Sequence, residues 1–235
     1  GYVGVAVVQD ELMMEGMNEK GLSAGLFYFP DYGKYEEYSE ANYETNISDF
    51  QLVSYILGRC ATVDEVKAEI ARVHIHGFDP RSSTVHWRFA EPSGRQIVLE
   101  IIDGKCVFYE NNLGVLTNSP SFDWQITNLN NYVNLLPGRT EPHTLGNMSL
   151  SSFGGGSAMI GLPGDFTPPS RFVRAAFFQS TAPQKPDAEG SVFTAFHILG
   201  SMEIPIGAQF PVDETPADIP SATQCTCVTD MSGLK

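Results

Sequence analysis

The stretch Gly114-Val-Leu-Thr-Asn-Ser-Pro-Ser-Phe-Asp-Trp124 decides how the middle of the chain folds. Residues 115–117 predict the end of a buried strand, Ser119 is a favourable helix N-cap residue, and Pro120 suits the first helical position, which needs no N–H. Asn118 then lies in the hinge between a strand and the positive end of a helix, where its side-chain amide could donate into a cleft. That position suits a donor that stabilises an oxyanion. The alternative is that Asn118 only satisfies backbone groups of the turn.

Length and charge limit what kind of protein this is. With 235 residues the chain can bury a large core, and its pattern favours a single α/β or α+β domain over residues 1–235. The formal net charge of −14 argues against a nucleic-acid partner and against binding to an anionic membrane surface. No apolar run approaches the length of a membrane span. The sequence leaves the compartment open, cytoplasmic or periplasmic.

The residues that could bind a metal do not form a metal-binding pattern. The chain contains four cysteines: Cys60, Cys106, Cys225 and Cys227. None belongs to a pair of C-x-x-C motifs, so a zinc site is disfavoured and reduced structural thiols are expected. His74 and His76 could form a metal-binding pair, but without a nearby carboxylate or third histidine an exposed loop is the favoured interpretation.

Local patterns predict the elements of the first half of the chain. Apolar runs predict strands at residues 3–8, 11–16 and 22–29. The acidic, tyrosine-rich residues 31–46 predict a surface loop that could form the rim of a pocket. Ser48-Asp-Phe-Gln51 and Thr62-Val-Asp-Glu65 both fit the capping-box pattern, and each precedes an apolar face with helical spacing.

From residue 84 the pattern changes to β-hairpins. Strands are predicted at residues 84–90, 96–102 and 105–109, and Asp103-Gly104 is a strong hairpin turn. The resulting antiparallel meander disfavours an array of parallel strands and crossover helices.

The last part of the chain combines helices with a long loop. Helices are predicted at residues 122–133, 170–180 and 191–202. Residues 137–169 form a loop rich in Gly, Ser and Pro, and a loop of this length is usually functional or lies in an interface. Residues 222–229 predict a strand and residues 230–233 a turn. No strand returns, which would leave a bare sheet edge and suggests a truncated chain.

Arg171 is in an unusual place, because a cation in the first turn of a helix opposes the helix dipole. A salt bridge to Asp165 would be a structural reason for this placement. A position in an active site, holding an anion or a thiolate, would be a functional one. The sequence alone does not choose between them.

Three long motifs carry a resemblance to a known family. They are Gly16-Met-Asn-Glu-Lys-Gly-Leu22, the stretch 114–124, and Gly161-Leu-Pro-Gly-Asp-Phe-Thr-Pro-Pro-Ser-Arg-Phe-Val-Arg174. In this order they resemble the choloylglycine hydrolases, the group that comprises bile salt hydrolases and penicillin V acylases. The resemblance covers essentially the whole chain.

The resemblance implies a fold and a mechanism. The fold would be the α+β N-terminal-nucleophile hydrolase fold, an αββα sandwich of two antiparallel sheets between helical layers. Members cleave a linear amide with an N-terminal cysteine whose α-amino group is the base, and no metal or organic cofactor is implied. Asn118 would supply an oxyanion-hole donor, Tyr28 a backbone N–H, and Arg171 would stabilise the thiolate.

The resemblance also implies substrates and an assembly. Conjugated bile salts come first, and penicillin V is a close second because Tyr28 matches members that act on it. The aromatic residues near Tyr28 are the predicted substrate contacts: Phe27, Phe29 and Tyr32. A homotetramer formed through the loop at residues 135–164 is the predicted assembly, because apolar side chains on a long loop need a partner surface.

One departure from the family pattern concerns the nucleophile. The N-terminal cysteine, and the arginine and aspartate that follow it in the family, have no counterpart here. The chain is therefore expected to be an internal fragment, incomplete at both ends and inactive by itself. A protein of another class, a non-catalytic binding protein that has lost its nucleophile, is the alternative. A purely structural β-rich domain is disfavoured, because it explains neither Asn118 nor Arg171.

Overall fold

The computed structural model describes residues 1–7, 9–79, 83–210 and 222–235. The strands are β1 (Tyr2–Val7), β2 (Gln9–Asn18), β3 (Ser23–Tyr28), β4 (Asn46–Ser48), β5 (His74–His76), β6 (Val85–Ala90), β7 (Gln96–Ile102), β8 (Lys105–Glu110), β9 (His143–Leu145) and β10 (Met148–Leu150). The helices are α1 (Leu52–Leu57), α2 (Val63–Ile70), α3 (Phe122–Asn128), α4 (Pro168–Thr181) and α5 (Ala188–Gly200). No helix among the described residues is long and apolar enough to cross a membrane.

The centre of the fold is a six-stranded antiparallel sheet with the strand order β1-β2-β3-β6-β7-β8. The predicted hairpins are confirmed: β6, β7 and β8 follow one another, and Asp103 and Gly104 in the last turn have φ values of 48° and 73°. Positive φ at both central residues matches the twist of a two-residue hairpin. Two smaller sheets contain two strands each, β4 with β5 and β9 with β10.

Alternating side chains divide the large sheet into two faces. Trp87 and Leu99 are fully buried in the larger core cluster, together with the apolar residues of α1 and α2. Val98 points to the opposite face and packs against Phe122 of α3 and Phe172 of α4. The sheet therefore lies between two helical layers, which confirms the predicted α+β architecture.

Asn18 fixes the turn between β2 and β3 against the end of α1. Its side chain is almost fully buried, and its Nδ2 donates to the carbonyl oxygens of Leu57 at 3.0 Å and Cys60 at 2.7 Å. Its Oδ1 accepts from the backbone N–H groups of Lys20 at 3.0 Å and Leu22 at 3.1 Å. One amide thus satisfies four backbone groups, which gives the first sequence motif a structural role.

The segment before α3 is not a strand, contrary to the prediction for residues 115–117. Its carbonyl groups bind side chains instead of a neighbouring strand: Val115 O accepts from Asn111, and Thr117 O contacts a ring nitrogen of His86. The helix starts later than predicted, with Phe122 as its first residue and Ser121 at the N-cap position.

Ser119 and Pro120 therefore do not start this helix. The hydroxyl of Ser119 donates to Pro30 O at 2.6 Å and so binds the chain beyond β3 rather than capping α3. Pro120 is buried ahead of the helix. The remaining helix predictions, including residues 122–133, are confirmed with small shifts at the ends, since a 3₁₀ turn (Leu129–Tyr132) continues α3.

Two further predictions were wrong. His74 and His76 lie in the short strand β5 rather than in a loop, and His74 Nδ1 contacts Glu36 at 2.8 Å. Residues 222–229 form no strand with any described part of the chain. The turn that follows them is confirmed, because Asp230 and Lys235 exchange backbone hydrogen bonds at 2.8 and 3.2 Å.

The structure shows the environment of each cysteine and of the side chains that could bind a metal. The four cysteines are free thiols, of which Cys60 is buried and the other three are exposed. Burial, and then the charges of nearby glutamates, raises the pKa of Cys60 to about 11. No cluster of three or more His, Cys, Asp or Glu side chains suited to a metal ion occurs in residues 1–7, 9–79, 83–210 and 222–235.

We predict that Asn18→Ala lowers the free energy of unfolding by about 2–4 kcal/mol, because it leaves two buried carbonyl groups and two N–H groups without their partner. Urea unfolding followed by circular dichroism measures the change. Asn130→Ala is the matched control, since the exposed side chain of Asn130 makes one hydrogen bond within the described part of the chain, to Thr127 O at 2.8 Å. Equal losses in the two variants would contradict the assigned role of Asn18.

Candidate active site

The end of β3 presents a free backbone edge at Tyr28. Phe29 donates its N–H to Thr84 O at 2.8 Å, so the next pair along the ladder, Tyr28 and Val85, is not hydrogen-bonded. The N–H and C=O of Tyr28 therefore point away from β6. On that side β2 pairs with β3 only as far as Gly25, which leaves both groups of Tyr28 outside the described ladder.

Asn118 fills this edge with its side chain. Its Nδ2 donates to Tyr28 O at 2.8 Å, and its Oδ1 accepts from Nη2 of Arg171 at 2.7 Å. Because a guanidinium can only donate, the oxygen of the amide must face Arg171 and the NH₂ group must face Tyr28. The second N–H of Asn118 then lies on the same side of β3 as the N–H of Tyr28.

Arg171 holds Asn118 from the first turn of α4. Its Nε donates to Phe166 O at 3.0 Å, which fixes the guanidinium plane. Burial, and then the neighbouring charge of Arg174, lowers the pKa of Arg171. No carboxylate forms an ion pair with Arg171 within the described part of the chain. Its position in the helix is therefore not explained by a salt bridge to Asp165.

Asp165 organises the start of α4 instead. Its carboxylate accepts from the N–H of Thr167 at 2.9 Å and from the hydroxyl of Ser170 at 2.6 Å. The guanidinium of Arg174 is buried beneath this turn and donates to the carbonyl oxygens of Pro163 at 2.8 Å and Asp165 at 2.6 Å. The turn that carries Arg171 is thus held by its own side chains.

Together these groups can stabilise negative charge. The N–H of Tyr28 and the second N–H of Asn118 are the kind of fixed donors that form an oxyanion hole. Arg171 adds a permanent positive charge that is partly removed from water, and such a charge lowers the pKa of a nearby thiol. The three predicted catalytic residues are therefore in one hydrogen-bonded chain: Tyr28, Asn118 and Arg171.

The predicted substrate contacts differ in exposure. The side chains of Tyr28 and Tyr32 are 56% and 49% exposed, and Phe27 is half-buried. Phe29 has no exposed surface, because its ring stacks on that of His86 at a centroid distance of 4.3 Å. Phe29 therefore supports the site from the core and is not retained as a substrate contact.

Four residues that the sequence analysis did not select also bear on the site. His86 contacts Thr117 O at 2.9 Å and Glu100 at 3.1 Å, while Gln125 donates to Asn118 O at 3.3 Å. His86 and Glu100 could have been noticed as polar residues at inward positions of two adjacent predicted strands. Thr117 and Gln125 have no distinctive sequence signal.

Comparison with known proteins gives the class and the family. A family model described as linear amide C–N hydrolases, choloylglycine hydrolase family, matches residues 1–232. A bile salt hydrolase/transferase from Clostridium perfringens (strain 13 / Type A) is 35% identical over 233 residues, which are 96% of this chain and 70% of that protein.

Two solved structures show the same fold. A variant of conjugated bile acid hydrolase from Clostridium perfringens superposes with a TM-score of 0.79 at 35% identity, covering 91% of this chain and 66% of that one. Penicillin V acylase from Agrobacterium tumefaciens gives a TM-score of 0.68 at 26% identity, covering 86% of this chain and 56% of that one. The chain thus spans between about half and about two thirds of the length of these two structures.

By class, the chain matches the linear amide C–N hydrolases and has the N-terminal-nucleophile hydrolase fold. Within that class the chain belongs to the choloylglycine hydrolase family. The resemblance carried by the three sequence motifs is therefore confirmed.

We predict that Asp165 titrates with a pKa of about 2, because the hydroxyls of Ser170 and Thr167 hydrogen-bond its charged form. The stabilisation of the α4 start is then fully present above the ordinary carboxyl pKa of about 4 and is lost as the pH falls through the lowered value. The amide proton shift of Thr167, followed by NMR from pH 6 to about 1.5, should report this titration. This pH-dependent change in the shift should be absent in Asp165→Asn. A midpoint at the ordinary carboxyl pKa of about 4 would contradict the prediction.

Proposed function

We propose that the protein that carries this chain hydrolyses the amide bond of conjugated bile salts, releasing glycine or taurine from the steroid acid. The hydrogen-bonded chain of Tyr28, Asn118 and Arg171 is the observation that supports it, because it combines two oxyanion donors with a partly buried cation. The relatives from Clostridium perfringens, a bile salt hydrolase/transferase and a conjugated bile acid hydrolase, supply the substrate class.

In this mechanism an N-terminal cysteine thiolate, which these 235 residues do not contain, attacks the amide carbonyl carbon. The carbonyl π electrons move to the oxygen, and the N–H of Tyr28 and the second N–H of Asn118 bind the resulting oxyanion. The oxyanion electrons re-form the carbonyl as the C–N bond breaks, the amine leaves with the proton that the α-amino group had taken from the thiol, and an acyl-enzyme remains. The α-amino group then takes a proton from water as the water oxygen adds to the thioester carbonyl, and the C–S bond breaks to release the acid and the thiolate.

The chain by itself is expected to be inactive. The described contacts of Asn118 and Arg171 include no cysteine, so this polypeptide alone should hydrolyse neither bile salts nor penicillin V. The alternative from another class is a non-catalytic binding protein. A cysteine at the mature N-terminus of the complete protein would favour hydrolysis, and another residue there would favour binding.

We predict that Asn118→Ala in the complete protein lowers kcat for glycocholate by about 10²- to 10³-fold with little change in KM, because the lost donor binds the oxyanion only as charge develops. Steady-state release of glycine measures the effect. The exposed Asn130→Ala should retain full activity. An unchanged kcat in Asn118→Ala would contradict the assigned role, and an inactive wild-type protein would contradict the proposed function.

Penicillin V is the second candidate substrate, and the exposed ring of Tyr28 favours it. An aromatic face can stack on a flat phenoxyacetyl group, with a gain of about 0.5–1.5 kcal/mol beyond burial. Tyr32, also half exposed, lies next to this edge of the sheet through its contact with Phe29 at a centroid distance of 6.1 Å. A steroid would use the same surface by simple hydrophobic burial.

We predict that Tyr28→Asn in the complete protein lowers kcat/KM for penicillin V more than for glycocholate. The backbone N–H survives the substitution, so the oxyanion hole is kept while the aromatic contact is lost. Parallel assays on the two substrates give the ratio. Equal losses would mean that the ring of Tyr28 does not determine selectivity.

We also propose that the complete protein is a homotetramer assembled through the loop at residues 135–164. In this loop β9 and β10 form a hairpin, and apolar side chains along it are open to solvent: Leu136, Leu145, Met148, Phe153 and Ile160. Exposed apolar surface of this kind needs a partner. The proposed partners of the protein are thus a small-molecule amide and further copies of itself.

We predict that deleting residues 140–157 from the complete protein gives monomers in light scattering, because the deletion removes the hairpin and Phe153. A matched variant with Phe153→Ser and Met148→Ser should shift the equilibrium in the same direction without shortening the chain. A tetramer of unchanged stability in both variants would count against this interface.

A further inference from the structure

We propose that the buried pair of His86 and Glu100 is a positioning device for the oxyanion hole, which holds Asn118 at the edge of the sheet. This inference rests on the proposed function, because it assigns to Asn118 the role of oxyanion donor. Neither His86 nor Glu100 touches the reacting atoms, so both are positioning residues and not catalytic ones.

The pair lies inside the sheet, directly behind the site. His86 on β6 and Glu100 on β7 are cross-strand neighbours, and both side chains are fully buried. His86 Nδ1 lies 3.1 Å from Glu100 Oε1. Replacing such a pair with apolar residues of similar volume is often neutral or stabilising, so stability alone does not account for it.

The hydrogen-bond partners determine which atoms of His86 and Glu100 carry protons. His86 Nε2 lies 2.9 Å from Thr117 O, and because a carbonyl only accepts, Nε2 must carry a proton. The contact between Nδ1 and Glu100 Oε1 needs one further proton, carried by either atom. Whichever atom carries it, Nε2 remains the donor to Thr117.

This donor holds the peptide that leads into Asn118. The carbonyl of Thr117 belongs to the same planar peptide unit as the N–H of Asn118. The hydrogen bond from His86 therefore fixes the orientation of this peptide plane, which contains the Cα atom that carries the Asn118 side chain. On the other side of Asn118 its own carbonyl accepts from Gln125 at 3.3 Å. The hydroxyl of Thr117 donates to Pro168 O at 3.1 Å and connects the same segment to the start of α4.

The pair also reaches the other segments of the site. The ring of His86 stacks on Phe29 with an interplanar angle of 10°, and Phe29 follows Tyr28 in the chain. Glu100 Oε1 accepts from the backbone N–H of Phe122 at 2.8 Å, at the start of α3. One pair thus binds the segment before Asn118, supports the one after Tyr28 and fixes the helix that carries Gln125.

Two substitutions at His86 in the complete protein separate positioning from simple packing. His86→Gln keeps an amide near the position of Nε2 and can still donate to Thr117 O. His86→Asn keeps an amide near the position of Nδ1, so it can contact Glu100 but cannot reach Thr117. Both variants bury one amide in place of the imidazole, which makes each the control for the other.

We expect His86→Asn to lower kcat for glycocholate by about 10- to 100-fold with KM changed less than about threefold, since a small displacement of Asn118 weakens oxyanion binding. His86→Gln should recover most of that loss. A recovery of about tenfold or more supports positioning. Equal kcat values in the two variants, whether both are low or both match the wild type, would overturn it.

A second readout does not depend on turnover. In crystal structures the distance from Asn118 Nδ2 to Tyr28 O should stay in hydrogen-bond range, near the 2.8 Å described above, in His86→Gln and should exceed about 3.5 Å in His86→Asn. The same distance in both would overturn the proposal. If the wild-type protein hydrolyses neither substrate, the proposed function fails, and these distances still decide whether His86 positions Asn118.

A third measurement needs no variant and covers the case in which the substituted proteins fail to fold. In the complete wild-type protein, ¹⁵N NMR of labelled histidine should show a His86 Nε2–H that is protected from solvent exchange. Without such a proton on Nε2 there is no bond to Thr117 O, and the proposal is overturned.

Discussion

The rest of the site depends on the two hydrogen bonds made by the side chain of Asn118. This side chain joins the carbonyl of Tyr28 on the central sheet to the guanidinium of Arg171 on α4, so a single amide spans the gap between the sheet and the helical layer. Since its oxygen is occupied by a cation, its N–H₂ group has one possible direction. This orientation is what turns an ordinary loop asparagine into a fixed donor.

Other asparagine and aspartate side chains likewise hydrogen-bond backbone groups in irregular segments of the fold. Asn18 satisfies four backbone groups in the turn after β2, and Asn111 both donates to Val115 O and accepts from the N–H of Gly114. Asp165 does the same for the start of α4. Irregular segments are therefore held by buried or well-bonded polar groups, which lets the loops around the site keep a defined shape.

The two faces of the central sheet have different roles. One face packs Trp87 and Leu99 into an apolar core under α1 and α2, and it supplies most of the hydrophobic burial. The other face carries His86 and Glu100 beside the smaller cluster around Val98, directly behind the site. Stability and positioning are thus separated across one sheet, because alternate residues of each strand point to opposite sides.

The sequence by itself determined the family, the strands of the central meander and the main helices, and it predicted Asn118, Tyr28 and Arg171 as site residues. These features are local or motif-like: capping boxes, the Asp103-Gly104 turn and apolar alternation act over a few residues, and so they can be read directly.

Only the tertiary structure decided how these elements serve the site. Residues 115–117 have strand-like composition, yet their carbonyl groups bind Asn111 and His86, which come from other parts of the fold. Phe29 follows the exposed Tyr28 but faces the core, and whether a residue is exposed depends on what packs against it. Arg171 meets Asn118 across 53 positions of sequence. Contacts between distant segments have no local signature, because they arise only when the sheet and helices have packed together.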